Sequence, residues 1–203
     1  MRITDRDLII LREVGRWQAT LGRHIKELAN FSGSRACDNR LKILVENKFL
    51  KREKHLYGIP YVYSLTHKSR MLLELNKRAD KIKLDQLRHD IKVLDTVVYF
   101  MKTKGLTPND FTSEKEMHRA DGFNQRKHKP DFLFQENGEI TAVEVELSIK
   151  DFKRLEENTS INLEYNTQLW IISKSSKKIE ANLTKLQKSY YNISLIYLED
   201  MVL

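Results

Sequence analysis

Asn137-Gly138 sits between two segments that alternate apolar and polar residues. The first is Phe132-Leu133-Phe134-Gln135, entered through Lys129-Pro130-Asp131, and the second runs from Glu139 to Ser148. Asn-Gly supplies the two positive-φ residues of a type I′ turn, whose twist matches that of paired strands. The two segments are therefore predicted to form an antiparallel β-hairpin. Beyond it the pattern predicts a helix from about Lys150 to Asn162 and an apolar strand, Gln168 to Ser173, central and parallel. A helix over about Ser176 to Ser189 and a last strand over Ile193 to Leu198 complete it. Strands interleaved with helices in this order imply an α/β sandwich around a mixed sheet.

Side chains repeat with period two along a strand, so Glu144 and Glu146 fall on one face of the second hairpin strand. Asp131, at the head of the neighbouring strand, is placed to approach them. Three converging carboxylates suit Mg²⁺ or Mn²⁺, hard cations that take oxygen ligands and activate water. The bland alternative is a pair of edge residues on a half-solvated strand.

The N-terminal part has a different grammar. Thr4 and Asp7 form a capping-box pattern ahead of Leu8, Leu11 and Val14, with Gly15 ending a first helix. Thr20 is expected to cap a second helix, Leu21 to Ala29. After the turn Phe31-Ser32-Gly33-Ser34, Ser34 is expected to cap a third, running to about Asn47 with Ala36, Leu41, Leu44 and Val45 inward. Two helices joined by a short Gly-containing turn are the helix-turn-helix pattern. Phe49 to Glu53 and Ile59 to Leu65 then flank the tip Lys54-His55-Leu56-Tyr57-Gly58, a hairpin in the position of a wing. Thr66 caps a further helix over Lys68 to about Lys77, with Met71, Leu72 and Leu75 on its apolar side.

Charge separates along the same line. The chain carries 36 Lys and Arg against 28 Asp and Glu, a net +8. Residues 1–78 hold 17 basic and 8 acidic side chains (+9), and residues 79–203 hold 19 and 20 (−1). Two domains are therefore expected, a basic winged helix-turn-helix over 1–78 and an α/β domain over 79–203. The basic excess points to an anionic partner for the first alone, double-stranded DNA. Helix residues Ser34, Arg35, Asp38, Asn39, Arg40 and Lys42 would face the major groove, where Arg reads guanine and Asn reads adenine. Lys51, Arg52, Lys54 and His55 on the wing, with Arg23 and Lys26 on the second helix, would meet phosphates or the minor groove. The alternative is a solvated basic surface, or a winged helix used for protein contact.

Leu84, Leu87, Ile91, Leu94, Val98 and Met101 recur at alternating spacings of three and four, predicting a bridge helix over about 84–104. That seam serves either a homodimeric coil or, the preferred reading, packing on the sheet of the second domain. A single cysteine, Cys37, excludes a disulfide framework and a zinc knuckle. No apolar run reaches the roughly 20 residues of a membrane span. Met1 to Asp7 lacks the apolar segment of a secretory signal, so a cytoplasmic location is expected.

Pro130-Asp131 followed by Glu144-Val145-Glu146 resembles the PD-(D/E)XK nuclease-like superfamily. The resemblance implies Asp131 and Glu144 as metal ligands, help from the Val145 carbonyl, and Glu116 as the upstream acidic residue. Glu146 stands where that pattern usually has Lys, with Lys150 as a substitute candidate. Tyr63-Ser64-Leu65-Thr66, Leu87-Arg88-His89-Asp90, Arg126 to Asp131 and Val143 to Leu147, taken together over about residues 4–198, resemble the replication-relaxation family of bacterial mobile elements. That implies a DNA-binding accessory protein acting in replication, relaxation or transfer, with a relaxase or replication protein as partner. Two other functions stay open: a metal-dependent endonuclease using Asp131, Glu144 and Glu146, and a winged-helix transcription regulator with a ligand- or partner-sensing domain.

Overall fold

The computed structural model describes residues 1–17, 19–75, 82–122, 127–148 and 151–201. It is an α+β chain that divides into two compact units, Met1–Val98 and Tyr99–Leu203. The predicted boundary after Arg78 lies outside the described residues. The units part inside a helix, Leu87–Lys104. The first unit has 21 basic against 12 acidic residues, so the +9 excess stays on its side of the division.

In the first unit, α1 (Asp5–Arg16), α2 (Gly22–Leu28) and α3 (Ser34–Glu46) precede two strands, β2 (Leu50–Glu53) and β3 (Val62–Leu65), and α4 (His67–Leu72). A two-residue strand, β1 (Thr20–Leu21), pairs with β3, giving a small antiparallel sheet of order β1-β3-β2. The Thr4–Asp7 capping box forms, and Thr66 caps α4, which ends at Leu72. Five sequence expectations are corrected. Gly33, not Ser34, is the N-cap residue of α3. Thr20 is a strand residue; the backbone N–H of Leu21 donates instead to His24 Nδ1 at 3.2 Å, and the helix starts at Gly22. Gly15 lies inside α1, and a Cβ there would meet Leu65 Cδ1 at 2.8 Å, so glycine lets β3 approach the helix. On α3 it is Cys37, with Leu41 and Leu44, that enters the core, while Ala36 is exposed. On and after α4, Leu73 and Leu75 pack on the core and Met71 and Leu72 face outward.

The long helix is α5 (Leu87–Lys104). Leu84 precedes it and is exposed, whereas Leu87 and Ile91 join Ala19, Leu21 and Val62 in one cluster of the first unit. Its last turns belong to the second unit, where the Phe100 ring lies 5.0 Å from Phe134 and 6.5 Å from Phe132.

The second unit holds β4 (Phe111–Ser113), α6 (Glu114–Ala120), β5 (Phe132–Glu136), β6 (Glu139–Glu146), α7 (Phe152–Ile161), β7 (Thr167–Ile172), α8 (Lys177–Leu186) and β8 (Ile193–Tyr197). Its five strands run in the order β4-β5-β6-β7-β8. The first two pairings are antiparallel and the last two parallel, a mixed sheet. Asn137 (φ 52) and Gly138 (φ 86) make the predicted positive-φ turn between β5 and β6. Central β6 is buried on both faces along its second half, with Val143 and Val145 alternating with Glu144 and Glu146. β4 and α6 were not visible in the sequence pattern, because a three-residue strand carries too little periodicity.

Candidate functional site

Two groups of side chains stand out, one in each unit. In the first, burying Cys37, Leu41 and Leu44 turns the opposite side of α3 to solvent. That side carries Ser34, Asp38 and Lys42 in one row and Arg35 and Asn39 beside it, all exposed. Spacings of four place each row along one stripe of the helix.

The β2–β3 hairpin adjoins this stripe. A Cβ on Gly22 would lie 3.7 Å from Asp38 Oδ1 and 3.9 Å from the Tyr63 ring. Tyr63 in turn pairs across the hairpin with Arg52. Burial first, and Asp38 nearby, hold the Tyr63 phenol above its ordinary range against the opposing pull of Arg52. Lys51, Arg52 and Lys54 are exposed on the hairpin. Arg52 lies over the Tyr61 ring at 4.7 Å, and Lys54 Nζ is 5.9 Å from the Tyr57 ring centre.

The other predicted contacts each lie beside a carboxylate of the protein. Arg40 is ion-paired with the buried Asp7. Arg23 donates to Asp95 Oδ1 from Nη2 at 2.8 Å, and Lys26 pairs with Glu27 at 2.9 Å. His55 is half-buried, its Nε2 3.9 Å from Glu53. The sequence pattern grouped all basic residues of the region, because it cannot see which carboxylate folds back onto which cation. It passed over Tyr57 and Tyr61, whose exposure depends on the path of the hairpin.

In the second unit, β5 and β6 bring Asp131 beside Glu144. The Val145 N–H donates to Asp131 Oδ2 at 2.7 Å, and the Glu114 N–H donates to the Asp131 carbonyl at 3.1 Å. Glu144 is 3 % exposed; its Oε1 accepts from Asn162 Nδ2 at 2.9 Å and lies 2.5 Å from His128 Nε2. Burial and the neighbouring Asp131 push the Glu144 carboxyl above its usual range, against the hydrogen bond to His128. Glu114 is raised too, by burial first and then by Asp131. These two shifts mark a cluster of carboxylates that repel one another. Glu114, His128 and Lys127 line an open cleft of about 570 Å³, with Lys129, Lys153 and Arg154 also on its wall. Lys129 is tied to Asp121 at 2.5 Å.

Two expectations change here. Glu116 is the capping residue of α6, its Oε2 accepting from the Ser113 N–H and hydroxyl at 2.8 Å each; Glu114 is the acidic residue that joins Asp131. Glu146 is buried rather than half-solvated, and its Oε1 accepts from the Ser148 N–H at 3.1 Å, at the end of its own strand. Lys150 lies outside the described residues. Among the described residues no three His, Cys, Asp or Glu side chains are grouped to hold a metal ion. Asp131 and Glu144 carry the oxygen donors a hard cation takes, and each also accepts a hydrogen bond, from Val145 and from Asn162.

No helix among the described residues is long and apolar enough to cross a membrane. No protein-family profile, no curated protein and no solved structure matches the chain.

Proposed function

We propose that the protein binds double-stranded DNA sequence-specifically through its first unit, read as a winged helix, as an accessory factor of a plasmid, phage or integrative element. The carrying observation is the solvent-facing stripe of α3, Arg35, Asp38, Asn39 and Lys42, beside a hairpin bearing Lys51, Arg52 and Lys54. Arg35 and Asn39 read base edges in the major groove; Lys42 and the hairpin cations hold phosphates. The near-neutral second unit, read as a PD-(D/E)XK-like fold, serves self-association or contact with a relaxase or replication protein. The test is fluorescence anisotropy with duplexes tiled across the DNA flanking the protein's own gene, in competition with unrelated duplex. A preferred site bound with a steep salt dependence supports the reading. Equal, weak binding to every duplex overturns it.

The cluster Glu114–Asp131–Glu144 beside the cation-bearing cleft favours a second reading, a metal-dependent DNA endonuclease. Its test is incubation of supercoiled and linear DNA with Mg²⁺ or Mn²⁺ for the protein and for Asp131→Ala. Cleavage abolished by the substitution supports it, and intact DNA throughout counts against it.

A further inference from the structure

Tyr57 is 96 % exposed at the tip of the β2–β3 hairpin, more than any other large hydrophobic side chain described. A tyrosine left in water at a loop tip buries no apolar area and adds nothing to the core. Its neighbourhood is cationic: Lys54 Nζ stands 5.9 Å from the Tyr57 ring centre, and Arg52 lies 4.7 Å over Tyr61, itself 47 % exposed. Gly58 follows Tyr57 at φ +77, a left-handed conformation that turns the chain sharply at the tip. The hairpin thus presents two aromatic rings, each with its own cation, in the unit that carries the +9 charge.

Aromatic faces interleaved with cations are what nucleic-acid surfaces use for bases outside a duplex: the ring stacks on the base and the cation takes the adjacent phosphate. An intact duplex offers its bases only by their edges, so a stacking ring has no use there unless a base is unpaired or a step is opened. We infer that the hairpin tip is a stacking site for an unpaired DNA base beside the duplex held by α3, with Tyr57 as the stacking ring and Lys54 on the neighbouring phosphate. This rests on the DNA-binding reading and adds a structural preference to it: DNA in which duplex meets single strand binds better than blunt duplex.

The experiment uses the full chain and one duplex from the DNA flanking its gene, blunt or extended by a single-stranded thymidine tail. A 2-aminopurine at the first unpaired position reports stacking. The expected result is binding of the tailed form tighter by roughly tenfold, with quenched 2-aminopurine. Tyr57→Ala removes the tenfold preference and the quenching, Tyr57→Phe keeps both, and Tyr191→Ala, altering a tyrosine 90 % exposed in the second unit, changes neither. Equal binding of tailed and blunt DNA by the unmodified protein overturns the inference while leaving duplex binding intact. A tail preference that survives Tyr57→Ala also overturns it. Failure to bind either form sinks the DNA-binding reading itself, and the inference with it.

Discussion

Arg40 and Asp7 join α3 to the start of α1. The guanidinium Nε donates to Asp7 Oδ1 at 2.6 Å, and the aspartate, 0 % exposed, also completes the capping box with Thr4. Burial opposes ionisation of Asp7, but hydrogen bonds from Arg40 and Thr4 outweigh it and hold its carboxyl below the usual range. An arginine that reads as a DNA contact in the sequence is thus a structural partner of a buried charge. Arg40→Ala leaves that charge without its cation and is expected to cost about 3 kcal/mol. Denaturant unfolding measures this. DNA specificity of the folded variant, followed at low temperature, remains that of the parent.

His24 and Asp95 give the first unit a sensitivity to acid. Nε2 of His24 lies 2.9 Å from Asp95 Oδ1, and Nδ1 accepts from the Leu21 N–H, so protonating the ring breaks that last bond. Burial, working against Asp95, lowers the His24 pKa below its ordinary 6.5. The unfolded chain takes up this proton first, so stability falls as pH drops below about 6.5. Asp95, opposed by burial but held down to about 2 by His24 and Arg23, adds a further loss as pH falls from about 4 toward that value. Melting curves from pH 7.5 to 5 on the protein and on His24→Gln check the upper window. The variant starts less stable and loses less stability over that range.

The α3 stripe and the hairpin cations are expected to fail differently. Arg35→Ala or Asn39→Ala lowers affinity for the preferred duplex by about 1–3 kcal/mol and leaves binding to unrelated duplex nearly unchanged. Lys51→Ala or Lys54→Ala weakens both alike and reduces the slope of log K against log salt by about 0.9 each. Anisotropy titrations over a salt series separate the two patterns.

Burial first, and then the neighbouring Asp131, raise the Glu144 carboxyl against the hydrogen bonds from His128 and Asn162. Its carboxyl is raised, so its stabilising protonated form is lost as pH rises through the folded-state pKa. Glu144→Gln keeps an oxygen for Asn162 and removes the buried charge. The variant is expected to melt about 2–4 °C higher at pH 7.5, with the gap closing by pH 4. Scanning calorimetry at the two pH values checks it.

Asn137-Gly138 and the register it sets were legible in the sequence because that information is local: φ > 0 at both positions is a property of those two residues. Gly138→Ala is expected to cost about 1 kcal/mol for the same reason, read from the shift in denaturant midpoint. The helix pair, the hairpin after it, the Thr4–Asp7 capping box and the alternation of Glu144 with Val145 were legible on the same grounds, as short-range patterns.

What the tertiary structure alone decided is pairing across distance. Arg23 meets Asp95 over 72 positions and Arg40 meets Asp7 over 33, and each pairs with a carboxylate a cation that composition counts as unpaired. Glu114 rather than Glu116 faces Asp131 because β4 and α6 set the helix entry, an effect of strand pairing that three residues of pattern do not record. Glu146 turns to Ser148 although it shares a strand face with Glu144. Sequence periodicity fixes which way a side chain starts; which charge lies at its end depends on chain segments that approach only when the cores have formed. Hence the charge segregation, +9 against −1, and the stripe of α3 belong to the sequence. The exposed Tyr57 and the hydrogen-bonded carboxylates beside the cleft belong to the fold.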